Sequence, residues 1–129
     1  DFHLRTCREG PVAFVDAVSI RYQVGMPDRL TRPEYDMYMA QNFLTTISRA
    51  VDRDADRISL PRGELDAVFA EAHAWVAGTA LEADDTATAR QHLLVSLRHR
   101  LIQPRVAGLL AKACLPASAR AALHRWRRQ

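Results

Sequence analysis

Apolar and polar positions divide the chain into a short leading part with strand-like alternation and a long remainder with helical periodicity. Phe2, Leu4 and Cys7 fit the end of a short helix that stops at Gly10-Pro11, because glycine closes helices and proline does not continue them. Val12-Ala13-Phe14-Val15 and Val18-Ser19-Ile20-Arg21-Tyr22-Gln23-Val24 are rich in β-branched and aromatic residues. The second run alternates apolar with polar, so two short strands joined around Asp16-Ala17 are predicted. A lone pair of strands is marginal in water, and the sequence offers no third. The pair is therefore expected to complete a sheet whose other members lie outside this sequence.

Gly25-Met26-Pro27-Asp28 ends the alternation, and helices follow. Thr31-Arg32-Pro33-Glu34 has capping-box spacing with a proline in the first turn. Tyr35, Met39, Phe43, Leu44, Ile47 and Val51 then recur at helical spacing to about Arg53. Past a polar break at 52–59, Pro61 opens a second helix with Leu65, Val68, Phe69, Ala72, Trp75 and Val76 as its apolar stripe. Asp84-Asp85-Thr86 caps a third, which carries Leu93, Leu94 and Leu97 on one face. Pro104 opens a fourth with Val106, Leu109 and Leu110 buried, and Pro116 opens a fifth that ends in His124-Arg125-Trp126-Arg127-Arg128. Short connections make neighbouring helices antiparallel. The expected fold is mainly α: a helix end and β-hairpin over residues 1–30, then five helices packed as antiparallel hairpins over 31–129. The helices near 62–79 and 85–99 have the form of one solenoid repeat, but no second copy follows at a fixed period.

With 129 residues and 48% hydrophobic content, the chain is long and apolar enough for one core. No run of about 18 apolar residues occurs, so no transmembrane helix is predicted. The opening Asp1-Phe2-His3-Leu4-Arg5 has neither an initiator Met nor a signal-peptide pattern; it reads as a cut through a longer product, and a processed chain would look the same. Cys7 and Cys114 lie far apart without metal-ligand spacing, so thiols in a cytoplasmic setting are expected. The net charge is +3, and every basic residue but Lys112 is arginine, a skew that fits GC-rich coding and solvated arginines.

Few residues point to chemistry. Asp84-Asp85 sits where a helix N-terminus favours negative charge, and Asp52-Arg53-Asp54-Ala55-Asp56 lacks the glycine and terminal Glu of a calcium loop. Both read as capping or solvated carboxylates. His73, His92 and His99 have no partner at metal-binding spacing along the chain, so each reads as structural or exposed. Ser19, Ser48, Ser59, Ser96 and Ser118 lack a nucleophile-elbow context, and the five glycines form no phosphate-cradling loop. Arg120, Arg125, Arg127 and Arg128, with Leu123 and Trp126, make a basic amphipathic end. It complements the last helix's dipole, and it also suits an anionic membrane surface, where each basic residue contributes about 1 kcal/mol.

One stretch carries a specific likeness. Asp1-Phe2-His3-Leu4-Arg5, Gly10-Pro11-Val12-Ala13-Phe14-Val15, Val18-Ser19-Ile20-Arg21-Tyr22-Gln23-Val24 and Leu30-Thr31-Arg32 follow one another in the order and spacing of family 2 glycosyltransferases. The chain resembles the C-terminal part of such an enzyme over about its first quarter. The rest is similar in composition alone, at Leu93-Leu94-Val95-Ser96-Leu97-Arg98, Leu109-Leu110 and Leu115-Pro116. The resemblance implies a GT-A enzyme that moves a sugar from a nucleotide-diphosphate donor to a saccharide, lipid-linked or small-molecule acceptor. It also implies a divalent metal, Mg or Mn, on an Asp-x-Asp motif in the parent, and a carboxylate base for the acceptor hydroxyl.

With Arg5 aligned to the family arginine, Asp1 falls two positions after the usual base. Base, metal motif and nucleotide-binding strands then all lie upstream, leaving no catalytic residue and no cofactor in this segment. A slip of two residues would make Asp1 the base, but it would break the fit at Gly10-Pro11. Asp1, Arg5, Arg21 and Tyr22 are the residues the resemblance places nearest the substrates. The chain departs from the family at Gln23, where arginine is common, and at Gly25, near which some members carry a histidine for the metal or pyrophosphate.

The expected role is thus an inactive C-terminal segment of a cytoplasmic glycosyltransferase, whose basic last helix serves its own dipole or, as the alternative, touches the inner face of the membrane. The alternative is a non-enzymatic helical protein-interaction module. A nucleic-acid-binding domain ranks last, because no helix gathers arginines with base-reaching Asn or Gln on one face.

Overall fold

The computed structural model describes residues 6–7, 9–18, 20–21 and 35–126. The chain is mainly helical. From Asp36 onward it forms α1 (Asp36–Asp54), α2 (Arg62–Glu82), α3 (Thr86–His99), α4 (Pro104–Cys114) and α5 (Ala117–Trp126), with a 3-10 turn at Ala55–Arg57 after α1. Among the described residues there is no strand.

Thr6, Cys7 and Glu9 are helical and Gly10 bends, in keeping with a helix end before Gly10-Pro11. Residues 11–18 have no regular pairing, and their apolar side chains stand in solvent: Val12 is 70% exposed and Phe14 89%. Most of the expected second strand, 18–24, lies outside the described residues, as does the capping box at Thr31 to Glu34.

Prolines set three helix starts, because their fixed φ suits a first turn and their missing N–H is not needed there. Pro61 caps α2, its carbonyl accepting from the N–H groups of Glu64 and Leu65. Pro104 is the first residue of α4, and the Pro116 carbonyl accepts from Ala119 and Arg120 at the start of α5.

The α2–α3 connection is tight. Asp84 N–H donates to the Leu81 carbonyl and Asp85 N–H to the Ala80 carbonyl, the bonding of a left-handed helix C-cap. Asp84 accordingly has φ 61°, a position that glycine usually takes. Asp85 then caps α3, its carboxylate accepting from Thr88 N–H at 3.0 Å. The Thr88 side chain first, and then that backbone bond, hold the Asp85 carboxyl below its ordinary range.

Helix α2 is the central element, with α1 on one side and α3 on the other, and α4 packs on both α3 and α2. Thr79 meets Met37 and Trp75 meets Phe43, so the chain direction of α1 opposes that of α2. The core is built from Ala74, Ala77, Ala80 and Leu81 of α2, Ala89 and Leu93 of α3, and Val106 and Ala113 of α4. Met37, Leu97, Leu109 and Leu110 close its edges. Small side chains let the backbones approach closely, and this explains why α2 is covered on two faces rather than one. The expected stripe is only half right in detail: Ala72 and Val76 are buried, while Val68 and Trp75 remain partly exposed at the α1 edge. No helix among the described residues is long and apolar enough to cross a membrane.

Candidate functional site

Of the residues expected nearest a substrate, Asp1, Arg5 and Tyr22 lie outside the described residues. Arg21 is exposed and belongs to no regular element. The basic C-terminal end divides. Arg120 turns inward, donating to Asp84 Oδ1 at 3.0 and 2.8 Å and to the Leu115 carbonyl at 2.6 Å. It ties α5 to the α2–α3 turn and is not part of a free basic face.

Sequence reasoning treats His73, His92 and His99 as isolated, and folding brings them together. The tight turn fixes the antiparallel register of α2 and α3. The pairs His73/His92 and Asp66/His99 are both centred on the Glu82–Ala83 step where α2 ends. His73 Nδ1 and His92 Nδ1 are 2.9 Å apart, so one ring donates its N–H and the other accepts. His99 Nδ1 donates to Asp66 Oδ1 at 2.9 Å. The His99 ring stacks between Phe69, at 5.3 Å, and His73, at 6.0 Å.

Ser96 seals the same seam between the two histidine contacts. Its hydroxyl donates to the Ala70 carbonyl at 2.7 Å, and Gln103 Nε2 donates to the Ser96 hydroxyl and carbonyl at 3.1 Å each. Ser48 likewise donates to the Leu44 carbonyl. Both hydroxyl protons go to backbone oxygens and none to a base: Ser48 bonds back within its own helix, the ordinary helix-interior use of serine, and Ser96 bonds across to α2.

Burial first, then the charges of His92 and His99, hold His73 down at about 4 from its ordinary 6.5. Burial also lowers His92. The pair is therefore neutral at pH 7, one imidazole as donor and the other as acceptor. Among the described residues no three His, Cys, Asp or Glu side chains gather to hold a metal ion. Cys7 and Cys114 are exposed free thiols.

Comparison with protein-family models, curated proteins and solved structures returns no match. What the site is for therefore rests on the residues themselves. The imidazole cluster sits within a helix–helix seam, and Ser96 beside it is engaged with backbone. Residues 1–30 lie apart from this seam in sequence, ahead of α1.

Proposed function

We propose that the chain is the C-terminal part of a family 2 glycosyltransferase, with residues 1–30 finishing a GT-A catalytic sheet and residues 31–129 forming a helical extension. The observation that carries this reading is the ordered run from Gly10-Pro11 through Val12-Ala13-Phe14-Val15 to Ile20-Arg21-Tyr22. A physical fact supports it. Val12, Phe14, Val15, Val18 and Ile20 are all exposed, so the bundle does not cover the side chains that a sheet partner would bury. Each such side chain gains about 1.5–3 kcal/mol on full burial, a strong preference for a second surface.

In this reading Asp1, Arg5, Arg21 and Tyr22 line the acceptor side of the site in supporting roles. The catalytic base and the Asp-x-Asp ligands of a divalent metal belong to the sequence before Asp1. That metal would offset charge growing on the departing nucleotide diphosphate. The bundle shapes acceptor access and contributes no reacting group. The basic end beyond Arg120 would rest on the inner membrane face.

Two measurements test the proposal. The reading frame upstream of Asp1 should hold alternating strands and helices followed by an Asp-x-Asp. The protein expressed from that longer frame should bind a nucleotide-diphosphate sugar in Mn2+ and transfer the sugar, while the 129-residue chain should not. An upstream frame without that motif, or sugar transfer by the 129-residue chain alone, overturns it. One observation favours a second reading, a non-enzymatic helical interaction module: among the described residues, the core around Ala77 and Leu93 takes no side chain from before α1.

A further inference from the structure

We propose that the imidazole cluster makes the α2–α3 seam an acid-sensitive latch, closed while a single proton lies between the facing His73 and His92 nitrogens and opened when both rings are charged. The geometry carries this. At 2.9 Å, one N–H and one lone pair can face each other. Two N–H donors cannot, so a fully protonated pair must separate. The neighbours offer no relief. The charges that bear on His73 come from His92 and His99, both on α3, and each opposes a positive His73. On α2, the Asp66 carboxylate is already taken by His99. From α4, Arg105 engages Glu71 at 2.7 Å on the exposed surface. Helix α1 packs through Trp75 and Thr79, on the opposite side of α2 from His73.

The sign follows from linkage. His73 is lowered to about 4 in the folded chain from an ordinary 6.5, so between those values the unfolded chain binds the proton that the folded chain refuses. The contribution to stability is complete above about 6.5 and is lost as pH falls toward 4. A full excess proton would raise the unfolding constant about tenfold per pH unit. Solvent reaches these half-buried rings and weakens the effect, so about tenfold in all between pH 7.5 and pH 5 is expected. Opening parts the hairpin that carries Ala77 and Leu93, so acid acts on the core and not merely on a surface contact.

Urea unfolding of the 129-residue chain, followed by circular dichroism in EDTA at about pH 7.5 and pH 5, tests the latch. The expected result is that roughly tenfold rise, flattened in His73→Gln and in His92→Gln. An unchanged constant in the wild type, or an equal rise in both folded variants, overturns it. Imidazole nitrogen NMR of the wild type decides the matter even if the variants fail to fold. If both rings become charged while the amide spectrum remains that of the folded chain, there is no latch. If the second charge appears only as the folded spectrum is lost, the latch stands.

Discussion

Replacing Leu93 by alanine removes the largest fully buried side chain, one with 0% exposure in the core shared by α2, α3 and α4. Leucine-to-alanine changes cost about 2–5 kcal/mol, and the position within that range depends on how far the surroundings collapse into the gap. Here the buried surroundings are Ala74, Ala77, Ala80, Ala89 and Ala113, with Val106 and Leu81 as the branched members, while the longer Met37, Leu97, Leu109 and Leu110 stand at the edges. A methyl group has no rotamer with which to reach into a void, and the helices are already close. The cavity should therefore persist, and a loss of about 3–4 kcal/mol is expected. That is a large part of a domain stability of about 5–15 kcal/mol. In urea, with a slope near 1.5 kcal/mol per molar, the midpoint should fall by about 2 M at unchanged slope. A fall below about 0.5 M at the same slope would refute the packing argument, because it would mean that the alanine-lined seam relaxes freely.

Two further outcomes are expected. Gly78 in α2 and Gly108 in α4 lie inside helices, and an added methyl at either would meet no atom within 4 Å. Gly78→Ala and Gly108→Ala should each stabilise by about 0.5–1 kcal/mol, read as a higher urea midpoint. At the α2–α3 turn, Asp84→Gly should relieve a left-handed backbone cost of about 1 kcal/mol while losing the Arg120 ion pair, for a net change near zero. Asp84→Ala keeps the unfavourable φ and loses the pair, so it should destabilise by about 1–2 kcal/mol in the same assay.

Punctuation was the legible part of this fold. Pro61, Pro104 and Pro116 mark three helix starts, and Asp85 caps α3, because such signals act within one turn of the chain and need no tertiary knowledge. The burial of α2 was harder to read. Leu65, Val68, Phe69 and Trp75 dominate its periodicity, yet most of the α2 residues in the core shared with α3 are alanines, whose small apolar weight leaves a stripe nearly invisible. The candidate site was missed for a different reason. His73 and His92 are remote in sequence, and only the register imposed by the turn at Asp84 sets their rings face to face. His73 with His92 and Asp66 with His99 share one midpoint, the Glu82–Ala83 step just before Asp84, so a register centred there pairs both. The role of Asp84 itself was hidden by its neighbour: two adjacent aspartates before a helix read as one capping signal, whereas Asp84 closes α2 and holds Arg120 while Asp85 begins α3.

Each helix from α1 to α3 packs against the one that follows it in the chain. Partners so near in sequence meet after closing only short loops, at little entropic cost. Such a topology assembles quickly, on a scale of microseconds to milliseconds, with each hairpin a ready surface for the next segment. During synthesis the α1–α2 hairpin can form as soon as it is made, well before Val106 and Ala113 arrive to close the core.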